Sequence, residues 1–205
     1  MIHVPPLRTG DRLHRQEFER RYDATLGLKK AELIRGVAFV PGSVPACVGH
    51  ARFDLIGWLG RYEDHCASIE GGANPSIRLN DDNELQPDIC LFRRGPERID
   101  QEGYLCWAPE LVGDVLDTVT GVPMLAKLKA YAEFGTREYI VWRVLDRAID
   151  WFILRGENFE RLPLGPDGLF RSAVFPGLWL DPAAMAAGDR QGVVKAVEAG
   201  INASR

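Results

Sequence analysis

Gln86-Pro87-Asp88-Ile89-Cys90-Leu91-Phe92 and Leu111-Val112-Gly113-Asp114-Val115-Leu116 are two apolar runs of strand length, and each carries an aspartate. An ionised carboxylate inside a strand core is costly unless something pairs with it. Pro87 suits the first residue of a strand, and the short Val/Leu-rich run around Asp114 suits a buried central strand. If the two strands are neighbours, both carboxylates can reach one Mg²⁺, whose usual protein environment is one or two carboxylates with waters and a phosphate. The plainer alternatives are that Asp88 caps a turn and Asp114 pairs with an arginine.

A lysine follows these acids. The spacing predicts a helix from about Val122 to Phe134. At 100° per residue, Lys127 falls between Phe134 and Tyr131, on the edge of the apolar arc that also holds Met124, Leu125 and Leu128. Lys129 falls on the other margin beside Glu133. A lysine within an apolar arc is the more constrained of the two, so Lys127 is the candidate to point into a site. The plainer reading of Lys127 is a side chain that snorkels from a packed helix.

Working outward, a charged helical pattern runs from about Arg12 to Thr25, with Leu13, Phe18 and Tyr22 on one face. Lys29 to Val40 reads as a strand or hairpin arm broken at Gly36. A helix is expected from about Gly49 to His65, with Phe53, Ile56, Trp58 and Leu59 as its apolar positions. Gly71-Gly72-Ala73-Asn74-Pro75 reads as a loop. Strands are expected at Ser76–Leu79, Arg137–Trp142 and Ala148–Leu154, with meander strands at Phe159–Pro163 and Phe170–Val174. Asp181-Pro182 is a helix start, and that helix is expected to run to Ala199 with Gly200 as its stop. The order implies an α/β fold with one mixed sheet flanked by helices, one at the N-terminal side and one at the C-terminal end.

The 205 residues are expected to form a single domain over 1–205, and 46% hydrophobic with 26% charged residues is ordinary globular composition. A net charge of −4 argues against a protein that coats nucleic acid non-specifically. It leaves room for a local basic face, because Arg8, Arg12, Arg15, Arg20, Arg21, Lys29, Lys30 and Arg35 crowd the first 36 residues. No run approaches the roughly 18 apolar residues of a membrane span, and the N-terminus is no signal peptide. Cys47, Cys66, Cys90 and Cys106 lack CxxC spacing, so reduced thiols and a cytoplasmic location are expected. Cys47/His50 and His65/Cys66 repeat no zinc-ribbon or finger spacing.

Taken together, Glu32-Leu33-Ile34-Arg35-Gly36, Pro87-Asp88, Pro109-Glu110-Leu111-Val112-Gly113-Asp114-Val115-Leu116, Lys127 with Tyr131 and Gly135, and Glu138-Tyr139 resemble the Uma2 family. That family is a branch of the PD-(D/E)xK nuclease superfamily, and the resemblance covers about Arg12 to Leu180. It implies a restriction-endonuclease-like core and a metal-dependent phosphodiesterase. Asp88 and Asp114 match the metal-binding acids, Lys127 matches the catalytic lysine, and Glu32 matches an accessory acid. The implied cofactor is Mg²⁺ or Mn²⁺, and the implied substrate is DNA, expected to be double-stranded; a homodimer is expected only because two sites cut both strands of a duplex more easily than one. Two departures stand out. Asp114 replaces the usual Glu and is shorter in reach by ~1.5 Å, and Thr120 to Met124 differs from the family's polar stretch. The expectation is therefore an endonuclease, with a catalytically inactive nucleic-acid-binding or protein-interaction module as the alternative.

Overall fold

The computed structural model describes residues 4–117 and 124–204. The chain begins with helix α1 (Arg15–Ala24) and the hairpin β1 (Glu32–Ile34) and β2 (Val37–Phe39), then helix α2 (Ala46–Glu63). Strands β3 (Ile69–Ala73), β4 (Ile77–Asn80), β5 (Asn83–Leu85), β6 (Ile89–Arg93) and β7 (Leu111–Leu116) follow. Helix α3 (Met124–Glu133) leads to β8 (Glu138–Arg143), β9 (Ala148–Arg155), β10 (Asn158–Arg161), β11 (Phe170–Arg171) and β12 (Trp179–Leu180). Helices α4 (Pro182–Ala187) and α5 (Arg190–Ala203) end the chain.

The expected mixed sheet is present, and two further sheets accompany it. Its six strands lie in the order β10-β9-β8-β7-β6-β3, and β7–β8 is its parallel pair. A parallel pair needs a long crossover, and α3 lies in that connection. A separate antiparallel sheet has the order β2-β1-β5-β4, and β11 pairs with β12. The expectation of a single sheet missed β5 and β12, runs too short to show a period.

Alternation along the strands decides what covers each face. Ile89, Leu91, Leu111, Val115, Ile140 and Trp151 pack with α2, α4 and α5 through Leu55, Trp58, Met185 and Val197. Cys90, Val112, Leu116, Tyr139, Val141 and Phe152 pack on the opposite face with Ala130 and Tyr131 of α3 and with Ile34, Ile77 and Leu85 of the small sheet. The small sheet is itself covered on its far side, where Leu33 and Ala38 meet Phe18 of α1. Glu32 alternates with Leu33, so it shares the inward face with Ile34.

Several expectations are corrected. Gly71-Gly72-Ala73 is not a loop but part of β3, paired with Leu91, Cys90 and Ile89 of β6. Paired glycines suit this edge strand because neighbours crowd it: a Cβ at Gly72 would sit 3.1 Å from Cys90 Sγ and one at Gly71 2.9 Å from Glu63 Oε2. The turn itself is delayed to Asn74, at φ 51°. In α2 the buried positions are Val48, Ala51, Leu55, Trp58, Leu59 and Tyr62, whereas Phe53 and Ile56 are exposed. Leu125 is likewise exposed rather than part of a buried arc.

The single C-terminal helix is two. Asp181 caps α4 as expected, accepting from Ala184 N–H at 2.9 Å. Gly188 then ends α4 at φ 74°, and Asp189 caps α5 by accepting from Gly192 N–H. A left-handed glycine followed by an acid is a stop and a start in succession. Gly200 lies inside α5, not at its stop, because a Cβ there would come within 2.6 Å of Trp179 Cγ. The expected helix start at Val122 and the unusual stretch Thr120 to Pro123 lie outside the described residues. Among the described residues no helix is long and apolar enough to cross a membrane.

Candidate active site

Strands β6 and β7 are antiparallel neighbours with Ile89 opposite Gly113. The same register carried back one residue places Asp88, immediately before β6, opposite Asp114 in β7. Opposed residues on adjacent strands put their side chains on one face, with Cβ atoms ~5 Å apart. Gly113 makes this closeness sterically possible: a Cβ there would sit 2.8 Å from Ile89 Cγ1. Both aspartates are buried, Asp88 to 1% and Asp114 to 3% exposure.

Around them the sequence-named residues converge. Lys127 projects from α3 and is buried, while Lys129 is exposed, as the helical pattern predicts. Lys127 Nζ lies 2.7 Å from Asp114 Oδ2 and 2.9 Å from Glu32 Oε1. Glu32 comes from β1 and is held by the Gln86 backbone N–H, which donates to Oε1 at 2.8 Å. The Tyr139 hydroxyl on β8 donates to Asp114 Oδ2 at 2.7 Å. Asp88 accepts from the Val115 backbone N–H at 2.8 Å through Oδ2.

Two cations that the sequence reading did not place in the site complete it. Lys30, in the connection before β1, donates to Asp88 Oδ1 at 2.6 Å. Arg52 of α2 brings Nε to 2.9 Å from Asp88 Oδ2. In the sequence Lys30 stands out only as part of a basic N-terminal segment. Its partner lies 58 residues away, a separation no local pattern reveals. Arg52 gave no signal at all on a helix read for its apolar positions. Within that basic segment Arg20 and Arg21 pair with Glu17, and Arg15 with Glu19.

The electrostatics follow from burial and pairing. Burial alone would push the Asp114 carboxyl up, but Lys127, helped by Lys30 and the Tyr139 hydroxyl, holds it below the usual carboxylate range. Burial pulls the Lys127 ammonium down, and Asp114 and Glu32 more than reverse this, so it stays protonated. The Tyr131 and Tyr139 phenols are pushed far up by burial and then by Asp114. Tyr131 stacks edge-on against Tyr139 at 5.3 Å, and its buried hydroxyl has no hydrogen-bond partner among the described residues.

The donor set fits a hard divalent cation in kind. Two opposed carboxylates with an acidic third nearby are oxygen ligands of the type such an ion takes, and a further buried oxygen, the Tyr131 hydroxyl, is without a hydrogen-bond partner among the described residues. The carboxylates are nevertheless engaged by Lys30, Arg52 and Lys127, and among the described residues no three Asp, Glu, His or Cys side chains form a ready metal cage.

The fold is shared with a crystal structure of a protein titled a "putative nuclease belonging to DUF820" from Anabaena variabilis. The match covers 83% of this chain and 97% of that one, with a TM-score of 0.65 at 14% identity, so it is a likeness of fold. No curated protein matches the chain. A family model described as "Uma2: Putative restriction endonuclease" matches residues 15–183, a span that holds Glu32, Asp88, Asp114 and Lys127. With that span the chain belongs to the Uma2 family of restriction-endonuclease-like proteins.

Proposed function

We propose that the chain is an endonuclease that hydrolyses DNA phosphodiester bonds with a divalent metal, Mg²⁺ or Mn²⁺, held by Asp88 and Asp114. The observation that carries this reading is the opposition of these two buried carboxylates across β6 and β7, with Lys127 bridging Asp114 to Glu32. When bound, the metal supplies Lewis-acid polarisation of the phosphate and a more acidic water.

The chain's own residues do the rest. Val115 N–H and Tyr139 fix the two carboxylates in orientation. Lys127, kept protonated by its two acids, is a fixed positive charge and not a proton acceptor. Its role is to position Asp114 and Glu32 and to offset negative charge that develops on the phosphate. Glu32 is the accessory acid. The substrate in this reading is double-stranded DNA, cut by two copies acting as a dimer, each chain being one domain. Four free cysteines, Cys47 exposed among them, support action in the reducing cytoplasm.

Plasmid nicking tests the reading. Activity is expected with Mg²⁺ or Mn²⁺ and not with EDTA, and Asp88→Asn should abolish it. Nicking by Asp88→Asn at the wild-type rate would overturn the assignment. One observation favours a second reading, an inactive binding module: three acids meet three cations, so the cluster is already neutral. That reading expects no nicking by the wild type, with DNA binding retained.

A further inference from the structure

The charges of the cluster are unevenly spread. Asp88 is one acid with two cations, Lys30 and Arg52, while Lys127 is one cation with two acids, Glu32 and Asp114. The first group is also the outer one. Lys30 and Arg52 retain 17% and 22% side-chain exposure, against 1% for both Asp88 and Lys127. An excess of positive charge thus stands on the more exposed side of the cluster, and an excess of negative charge on its buried side.

The two outer cations reach Asp88 from different elements, the connection before β1 and the helix α2. Their hold on it is unequal. Lys30 donates a short hydrogen bond, whereas Arg52 Nε, close as it is, is not aligned to donate and has no hydrogen-bond partner among the described residues. A guanidinium with five donors in a planar fork matches a phosphate better than a single misaligned contact with one carboxylate oxygen.

We infer that Lys30 and Arg52 form a phosphodiester subsite that Asp88 occupies until a divalent cation takes Asp88 from them. This rests on the reading that Asp88 and Asp114 bind the metal. The released ammonium and guanidinium then face solvent beside the ion, where an incoming DNA phosphate replaces the lost carboxylate. Metal and DNA therefore each bind poorly alone and well together. The two cations compete with the metal and cooperate with the nucleic acid, so removing them must shift the two affinities in opposite directions.

The test uses the full chain and two measurements without turnover. Mn²⁺ is titrated calorimetrically with no DNA present, and a short labelled DNA duplex is titrated by fluorescence anisotropy in Ca²⁺ over a range of salt. For Lys30→Gln/Arg52→Gln, Mn²⁺ should bind roughly tenfold more tightly and the duplex roughly tenfold more weakly. The slope of log affinity against log salt should shrink by about one to two. If the double variant does not fold, Lys30→Gln alone, which leaves Arg52 on Asp88, should show the same opposed shifts at smaller size. A loss of both affinities marks a purely structural pair and overturns the subsite, as does an unchanged Mn²⁺ or DNA affinity. Variants that show the opposed shifts beside a wild type that never nicks DNA would keep the subsite and remove the nuclease reading. Wild-type nicking without those shifts would do the reverse.

Discussion

The backbone N–H of Val115 lies 2.8 Å from Oδ2 of Asp88, so the strand that carries one acid also fastens the other. Asp88→Asn retains a side chain able to accept that bond while removing its charge. Nicking is therefore expected to disappear. Lys30 and Arg52 lose their partner but can turn to solvent, so the stability cost should be modest, about 1–2 kcal/mol. Urea unfolding followed by circular dichroism measures it.

Lys127 is a different case. Lys127→Met fills a similar volume but leaves Glu32 and Asp114 buried with their shared counter-charge gone. Breaking a buried pair this way costs about 3–5 kcal/mol. Lys129→Met, on the exposed side of the same helix, should stay within about 0.5 kcal/mol of wild type. Equal effects of the two substitutions in urea titrations would refute the distinction.

A second acid cluster predicts how stability depends on pH. Glu84 of β5 is buried beside Glu19 and Arg78, with Arg78 Nε 2.9 Å from Glu19 but 3.9 Å from Glu84. Burial, then the Glu19 carboxyl, pushes the Glu84 carboxyl up to about 7. Between its ordinary value near 4.5 and about 7, the folded chain holds a proton that the unfolded chain has released. Stability contributed by that proton is full below this window and is lost as pH rises through it. The Tm should drop by a few degrees across the window, and Glu84→Gln should flatten that drop. Asp114 has the opposite sign: its folded carboxyl is held down, so its contribution is present above the ordinary aspartate range and is lost on acidification.

Two glycines should resist substitution for reasons of space. Gly113→Ala drives a methyl against Ile89 Cγ1 and Cδ1, at 2.8 and 2.9 Å, directly beside Asp114. Ile89 can move, so a loss of about 1–3 kcal/mol is expected, with nicking reduced as β6 is pushed away. Gly200→Ala meets the Gly177 backbone and the Trp179 ring. Backbone yields less than a side chain, so Gly200→Ala should cost more stability than Gly113→Ala. Chemical denaturation of both variants ranks them.

What the sequence made legible had a local period or a local composition. The strands around Asp88 and Asp114 were visible as apolar runs, and the choice of Lys127 over Lys129 came from the helical arc. Glu32 entered through family resemblance alone, since nothing in Glu32-Leu33-Ile34 says which strand it faces. Lys30 and Arg52 were invisible as site residues because their partner is fixed only by the packing of α2 and the small sheet around β6. Gly71-Gly72 misled because the residues that turn a chain also suit an edge strand crowded by Cys90 and Glu63. Gly188-Asp189 carries its chemistry of stop and restart in the sequence, but the helical period continues across it and hides the break.

Lys127 joins Glu32 of the small antiparallel sheet to Asp114 of the six-stranded one. The seam between the two sheets therefore runs through the proposed reactive centre itself. Mild denaturant that loosens the small sheet would disassemble the acids and the lysine while α2, α4 and α5 stay packed on the far face of the large sheet. Loss of the proposed nicking activity should then run ahead of helix loss, making nicking the most sensitive gauge of this joint.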